Sequence, residues 1–180
     1  MKKVFLSILS VLLVCSMMLS LTGCGIGYKS AIDNLIDYTF EGKSSAIKKL
    51  APKAYWDYME DEHDQSLEDA IDEYEEQYEL AQEMLEEQYG EKFKVKYKVT
   101  DKDKIKKADL KDIAEALEDK YEIKASSVKA GYEIEIEVTI KGKEDEEEEE
   151  SELTVLKIGG KWYPVSVSEY DDEVYVNFMV

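Results

Sequence analysis

Residues 92–99 read Lys-Phe-Lys-Val-Lys-Tyr-Lys-Val. Every second side chain is Lys, and those between are Phe93, Val95, Tyr97 and Val99. An extended chain sends successive side chains to opposite faces, so this stretch predicts a strand with one apolar face and one cationic face. The period returns later with the opposite charge. Tyr132, Ile134, Ile136, Val138 and Ile140 alternate with Glu133, Glu135, Glu137, Thr139 and Lys141. Opposite charges across a strand pair contribute roughly 0.2–1 kcal/mol each, so the two strands are expected to be neighbours.

Around these strands the period changes to that of a helix. Before them, Ala31, Ile32, Leu35, Ile36 and Phe40 recur at helical spacing from Tyr28, and Gly42 fits a stop. Ala46, Ile47 and Leu50 form a second short apolar face. Pro52 opens a third, through Tyr55, Trp56 and Met59. Ser66, with Asp69 three residues on, predicts the capped start of a long helix. Leu67, Ala70, Ile71, Tyr74, Tyr78, Ala81, Met84, Leu85 and Tyr89 would form its stripe, with the Tyr hydroxyls at the rim of the core, and Gly90 its end. Between the two strands, Leu110, Ile113, Ala114 and Leu117 predict a helix from about Asp109 to Tyr121.

Beyond the second strand, seven acidic residues from Glu144 to Glu150 interrupt the pattern. Runs of like charge are usually solvated and mobile, so a loop is expected here. Strand character resumes at Leu153–Ile158. Gly159-Gly160 signals a two-residue hairpin, and Lys161–Val167 returns. Val174 to Val180 is the place for one more short strand. The fold class expected is α+β, with N-terminal helices packed on an antiparallel sheet.

The N-terminus has its own logic. Met1-Lys2-Lys3 precedes an apolar run from Val4 to Leu21 that ends in Leu21-Thr22-Gly23-Cys24. A basic start and an apolar stretch are the layout of a secretory signal. The ending resembles the lipobox of bacterial lipoproteins at all four positions. That resemblance implies cleavage between Gly23 and Cys24 and lipid on Cys24. The expected organisation is a signal peptide over residues 1–23, a lipidated tether over 24–27 and one α+β domain over 28–180. The expected location is the extracytoplasmic face of a cell membrane. Two acyl chains hold stably where one is marginal. Cys15 would leave with the signal, so no internal disulfide is expected.

The 180 residues carry 42 Asp and Glu against 23 Lys and Arg, a net charge of −19, or −21 once Lys2 and Lys3 are removed. Every one of those cations is Lys. Together with the Glu and Ile content, this suggests a low-GC genome, and a Gram-positive one is expected. Taken over the whole chain, the acidity argues against nucleic acid and against peripheral attachment to anionic lipid.

Helices first, then strand, helix and meandering strands ending in Gly160-Lys161-Trp162-Tyr163, resemble the nuclear transport factor 2-like superfamily. The likeness is greatest to the lumazine-binding-like domains of secreted bacterial lipoproteins. The resemblance implies a curved, cone-like (cystatin-like) sheet around an apolar pocket. Candidate lining residues are Tyr55, Trp56, Tyr97, Tyr132 and Trp162.

Catalytic residues are not expected. The inward rows of the two clearest strands hold no acid or base apart from two phenols. Asp33 and Asp37 are the carboxylates a helix would offer, and both are expected on its solvent side. His63 is the only histidine, in the polar stretch Glu60-Asp61-Glu62-His63-Asp64, expected to be a loop between helices. It has no plausible nucleophilic partner and too few His or Cys beside it for zinc; a solvated His is the default reading, and a carboxylate-rich metal site including His63 the alternative. Gly159-Gly160-Lys161 lacks the spacing of a phosphate loop. No cofactor and no metal are expected.

The function expected is therefore non-catalytic binding by a membrane-anchored lipoprotein. Its partners would be the membrane, through lipid on Cys24, and an unknown protein or small apolar ligand, with no nucleic acid. The alternatives are an isomerase or hydrolase using helix carboxylates, and cation or envelope-polymer binding through the acidic surface.

Overall fold

The computed structural model describes residues 26–143, 145–171 and 173–180. Gly23, Cys24 and the rest of the expected signal and lipidation site lie outside the described residues. The chain is α+β. Helices α1 (Ile26–Glu41), α2 (Ile47–Leu50), α3 (Lys53–His63) and α4 (Leu67–Tyr89) precede β1 (Lys94–Lys104). Then come α5 (Lys107–Tyr121), β2 (Val128–Lys141), β3 (Glu146–Ile158), β4 (Lys161–Tyr170) and β5 (Glu173–Phe178). The five strands form one antiparallel meander in the order β1-β2-β3-β4-β5. Among the described residues no helix is long and apolar enough to cross a membrane.

Residues paired across strands share a face of the sheet, and the register shows that both faces are used. On one face, Ile134 pairs with Leu153 and Tyr132 with Val155. These residues pack with Ala31 and Ile32 of α1, both fully buried, and with Tyr89 at the end of α4. On the other face, Leu156 pairs with Tyr163 and Val165 with Phe178. They pack with Leu117 and Tyr121 of α5 and with Tyr55 and Trp56 of α3. The alternating strand β2 and the 3.6-period helix α5 each bury the row their sequences foretold. Fully burying one Leu or Ile contributes about 1.5–3 kcal/mol, so rows of this kind hold the layers together.

Several local expectations hold for visible physical reasons. Ser66 Oγ accepts from the Asp69 backbone N–H, and Asp69 accepts from the Ser66 backbone N–H, closing a capping box on α4. Gly159 and Gly160 both have positive φ (57° and 89°), the geometry of a two-residue turn that follows strand twist. Pro52 stands just before the first residue of α3.

Others need correction. The acidic run is not a loop: Glu146–Glu150 lie in β3, where Glu146 faces Lys141 and Glu150 faces Glu137. Backbone pairing to β2 overrides like-charge repulsion because every one of these side chains is exposed to water. The side-chain partners of the run help: Lys141 pairs with Glu146, and the Tyr89 hydroxyl donates to Glu147. His63 is not in a loop; it ends α3 and meets the Tyr58 ring edge-on at 5.6 Å. The stripe of α4 is shallower than a core stripe. Of its residues only Tyr89 is buried, and Met84 is 66% exposed. Its Tyr hydroxyls do reach the rim, where Tyr74 donates to the Tyr38 carbonyl and Tyr78 to the Phe40 carbonyl at 3.0 Å.

Candidate nucleic-acid interface

β1 and β2 are neighbours as expected, but the charge rows do not mate. Lys94 faces Lys141, Lys96 faces Thr139, and Lys98 alone faces a carboxylate, Glu137, at 4.0 Å. The register slips between Val99 and Asp101, where Thr100 is the extra residue of a bulge. Beyond it Asp101 faces Glu135 and Asp103 faces Glu133. Among the described residues Lys98 is the one lysine of this row with an ion-pair partner.

The slip also divides the lysines between two faces. Lys94, Lys96 and Lys98 stand on the open face of the edge strand, all exposed. Alternate residues of a strand are about 6.8 Å apart, so the three form a line of evenly spaced cations. After the bulge, Lys102 and Lys104 share the opposite face with Ile134 and Tyr132. Lys102 Nζ stands 5.1 Å from the Tyr28 ring centre and 5.0 Å from that of Tyr132. Trp162 stacks on Tyr132 at 5.4 Å and 22°. Lys106 and Lys107 follow at the start of α5. From 92 to 107 the chain carries eight Lys against Asp101 and Asp103, a local charge of +6 inside a chain of −19.

The five candidate pocket residues do not share a pocket. Tyr55 and Trp56 are buried in the cluster beneath α5, whereas Tyr97, Tyr132 and Trp162 belong to the cluster beneath α1. The sheet lies between them. Tyr97 donates to Asp33, and Asp37 pairs with Lys43 at 2.9 Å, so the two helix carboxylates are engaged at the surface. Among the described residues no charged side chain is buried, and no group of three His, Cys, Asp or Glu is arranged to hold a metal ion.

Residues 72–144 match the family model of the THUMP domain. The match runs from within α4 through β1, α5 and β2, and covers fewer than half of the 180 residues. No curated protein and no solved structure matches the chain.

This match overturns several expectations. The first is the resemblance to a nuclear transport factor 2-like lipoprotein domain. That resemblance rested on element order and on Gly160-Lys161-Trp162-Tyr163, a tight turn with a stacked aromatic that any antiparallel pair can adopt. The second is the function of an extracytoplasmic lipoprotein binding domain, together with the descriptions lipoprotein, lipobox and extracellular. Those rested on a short N-terminal pattern outside both the match and the described residues. The third is the choice of partners, a membrane lipid at Cys24 and the exclusion of nucleic acid. Net charge sums the whole surface, whereas a polyanion meets one face of it. The +6 segment begins with the Lys row of 92–98 and continues through Lys102, Lys104, Lys106 and Lys107.

Proposed function

We propose that the chain binds RNA through the segment 72–144, as THUMP domains do. The observation that carries this reading is the match itself, whose span contains the whole lysine-rich stretch 92–107. Lys94, Lys96 and Lys98 supply phosphate contacts along the edge strand, and Lys106 and Lys107 extend them to α5. Contacts of this kind position a nucleic acid without reading its bases. The surrounding carboxylates repel a polyanion at distances up to the Debye length, about 8 Å at physiological salt. They confine binding to the lysine strip. In this reading the chain holds RNA and carries out no chemistry on it.

Fluorescence anisotropy of the full chain with labelled tRNA, at about 50 and 200 mM salt, tests the proposal. Saturable binding that weakens with salt, and is lost when Lys94, Lys96 and Lys98 are all changed to Glu, is expected. Absence of saturable binding at the lower salt, or a triple variant that binds as well as the parent, contradicts it.

A further inference from the structure

A second site lies away from the lysine strip, where α1, α3 and α4 meet. Tyr38, Tyr55, Trp56 and Tyr74 wall a cleft of about 270 Å³. Tyr38 and Tyr74 stack at 4.4 Å, and Tyr55 meets Trp56 edge-on at 5.1 Å. These contacts hold the rings in place on three different helices. Glu73 lies at the same cleft, and both of its oxygens are positioned: Gln65 Nε2 donates to Oε2 at 3.2 Å and Gln77 Nε2 to Oε1 at 3.0 Å. Two amides thus orient a carboxylate without neutralising it. No Lys is among the residues lining the cleft. Burial, and after it the charge of Glu73, raises the Tyr38 pKa above its ordinary value.

An aromatic wall beside an oriented, uncompensated carboxylate favours one class of guest. A neutral apolar molecule gains nothing from Glu73, and an anion is repelled. A strongly hydrated metal ion gains little from the rings and would find only one carboxylate here. A weakly hydrated organic cation gains from both, because it is attracted to ring faces within about 6 Å and to the carboxylate.

We propose that this cleft binds a small organic cation, of the alkylammonium class, with Glu73 as counter-ion and the Tyr38, Tyr55, Trp56 and Tyr74 rings as its wall. The cleft is separate from the lysine strip, since none of its residues lies on β1 or α5, although Glu73, Tyr74 and Gln77 fall within the matched span 72–144.

The test is calorimetric titration of the full chain with choline at about 150 mM salt, where charges farther away than about 8 Å are largely screened and contact pairs are not. The comparison ligand is 3,3-dimethylbutan-1-ol, the uncharged isostere of choline. Choline is expected to give saturable heat and to bind about tenfold or more tightly than the isostere. Glu73→Gln is expected to weaken choline about tenfold with little effect on the isostere, while Glu79→Gln, on the same helix but outside the cleft, changes neither. In a Trp162→Phe background the remaining indole signal, that of Trp56, is expected to shift with choline. Equal affinity for choline and its isostere, an unaffected Glu73→Gln variant, or no saturable heat up to about 10 mM choline would each overturn the proposal. Glu73 is exposed, so its replacement leaves the fold in place to give a clear answer.

Discussion

The hydroxyl of Tyr97 donates to Asp33 Oδ1 at 2.6 Å, tying the edge strand β1 to α1 across 64 residues of chain. Burial raises the Tyr97 pKa above its ordinary value, and the hydrogen bond and charge of Asp33 raise it further. Hydrogen bonds to charged groups contribute about 1.5–3 kcal/mol, less where water can replace the partner. Asp33 is exposed and can rehydrate. Tyr97→Phe is therefore expected to cost about 1 kcal/mol, seen as a Tm lower by about 2–4 °C. Tyr175→Phe, which removes an exposed hydroxyl bonded to Glu173, should leave Tm nearly unchanged. Equal Tm values for the parent and Tyr97→Phe would show that the bond contributes nothing.

Stability should fall on the alkaline side. Burial raises the phenols of Tyr55 and Tyr121 to about 12, and raises Tyr38, Tyr74 and Tyr97 as well. A phenol whose folded pKa lies above its unfolded value near 10 favours the folded state fully below about pH 10. That contribution is lost as pH rises through the folded pKa. Denaturant midpoints are expected to be flat from about pH 7 to 9 and to drop between about pH 10 and 12. Phenolate absorbance should show a group of phenols titrating late, together with unfolding. If every phenol titrates near pH 10 (roughly the free value) before unfolding, the burial assigned to these rings is wrong.

Each Lys that meets a phosphate should leave its mark on the salt dependence of RNA binding. Lys94→Ala, Lys96→Ala and Lys98→Ala are each expected to lower the slope of log K against log salt by about 0.7–0.9. Lys157→Ala, at a position outside the lysine-rich stretch, is expected to leave the slope unchanged. The affinity loss should be similar for unrelated RNA sequences, because phosphate contacts carry no base information. A variant series with sequence-dependent losses would place base readout, rather than phosphate contact, on this strand.

Gly142 stands at the end of the β2–β3 hairpin against α4. A Cβ there would lie 2.1 Å from the Tyr89 carbonyl oxygen, which accepts from the Lys143 N–H at 3.2 Å. Gly142→Ala must push the hairpin off the helix end. Gly159→Ala meets nothing within 4 Å, and pays only for its positive φ of 57°, about 1–2 kcal/mol. Thermal melts are expected to place Gly142→Ala below Gly159→Ala, with helical circular dichroism at low temperature preserved in both. The reverse order would show that the hairpin is free of α4.

Local patterns determined much of this architecture without help from the rest of the chain. The two-residue period of 92–99 and 132–141, the 3.6-residue period of α4 and α5, the Ser66–Asp69 cap and the Gly159-Gly160 turn all express preferences that act within a few residues. The tertiary structure decided what depends on partners distant in sequence. The register of β1 on β2 set Lys94 against Lys141 and Lys96 against Thr139, and the bulge at Thr100 then set Asp101 and Asp103 against Glu135 and Glu133, because register follows the pairing of whole strands and not charge alone. Backbone pairing to β2 drew Glu146–Glu150 into β3, since an exposed strand can carry like charges that water screens. Burial on both faces of the sheet separated Tyr55 and Trp56 from Tyr97, Tyr132 and Trp162, which a single-pocket reading had joined. Only the packing of three helices brought Tyr38, Trp56, Glu73 and Tyr74 to one cleft, and spacing along the chain contains no trace of that meeting. The lysine-rich stretch was plain in the sequence from the start. What each of its lysines faces was decided by the register, which set Lys94 against Lys141, Lys96 against Thr139 and Lys98 against Glu137.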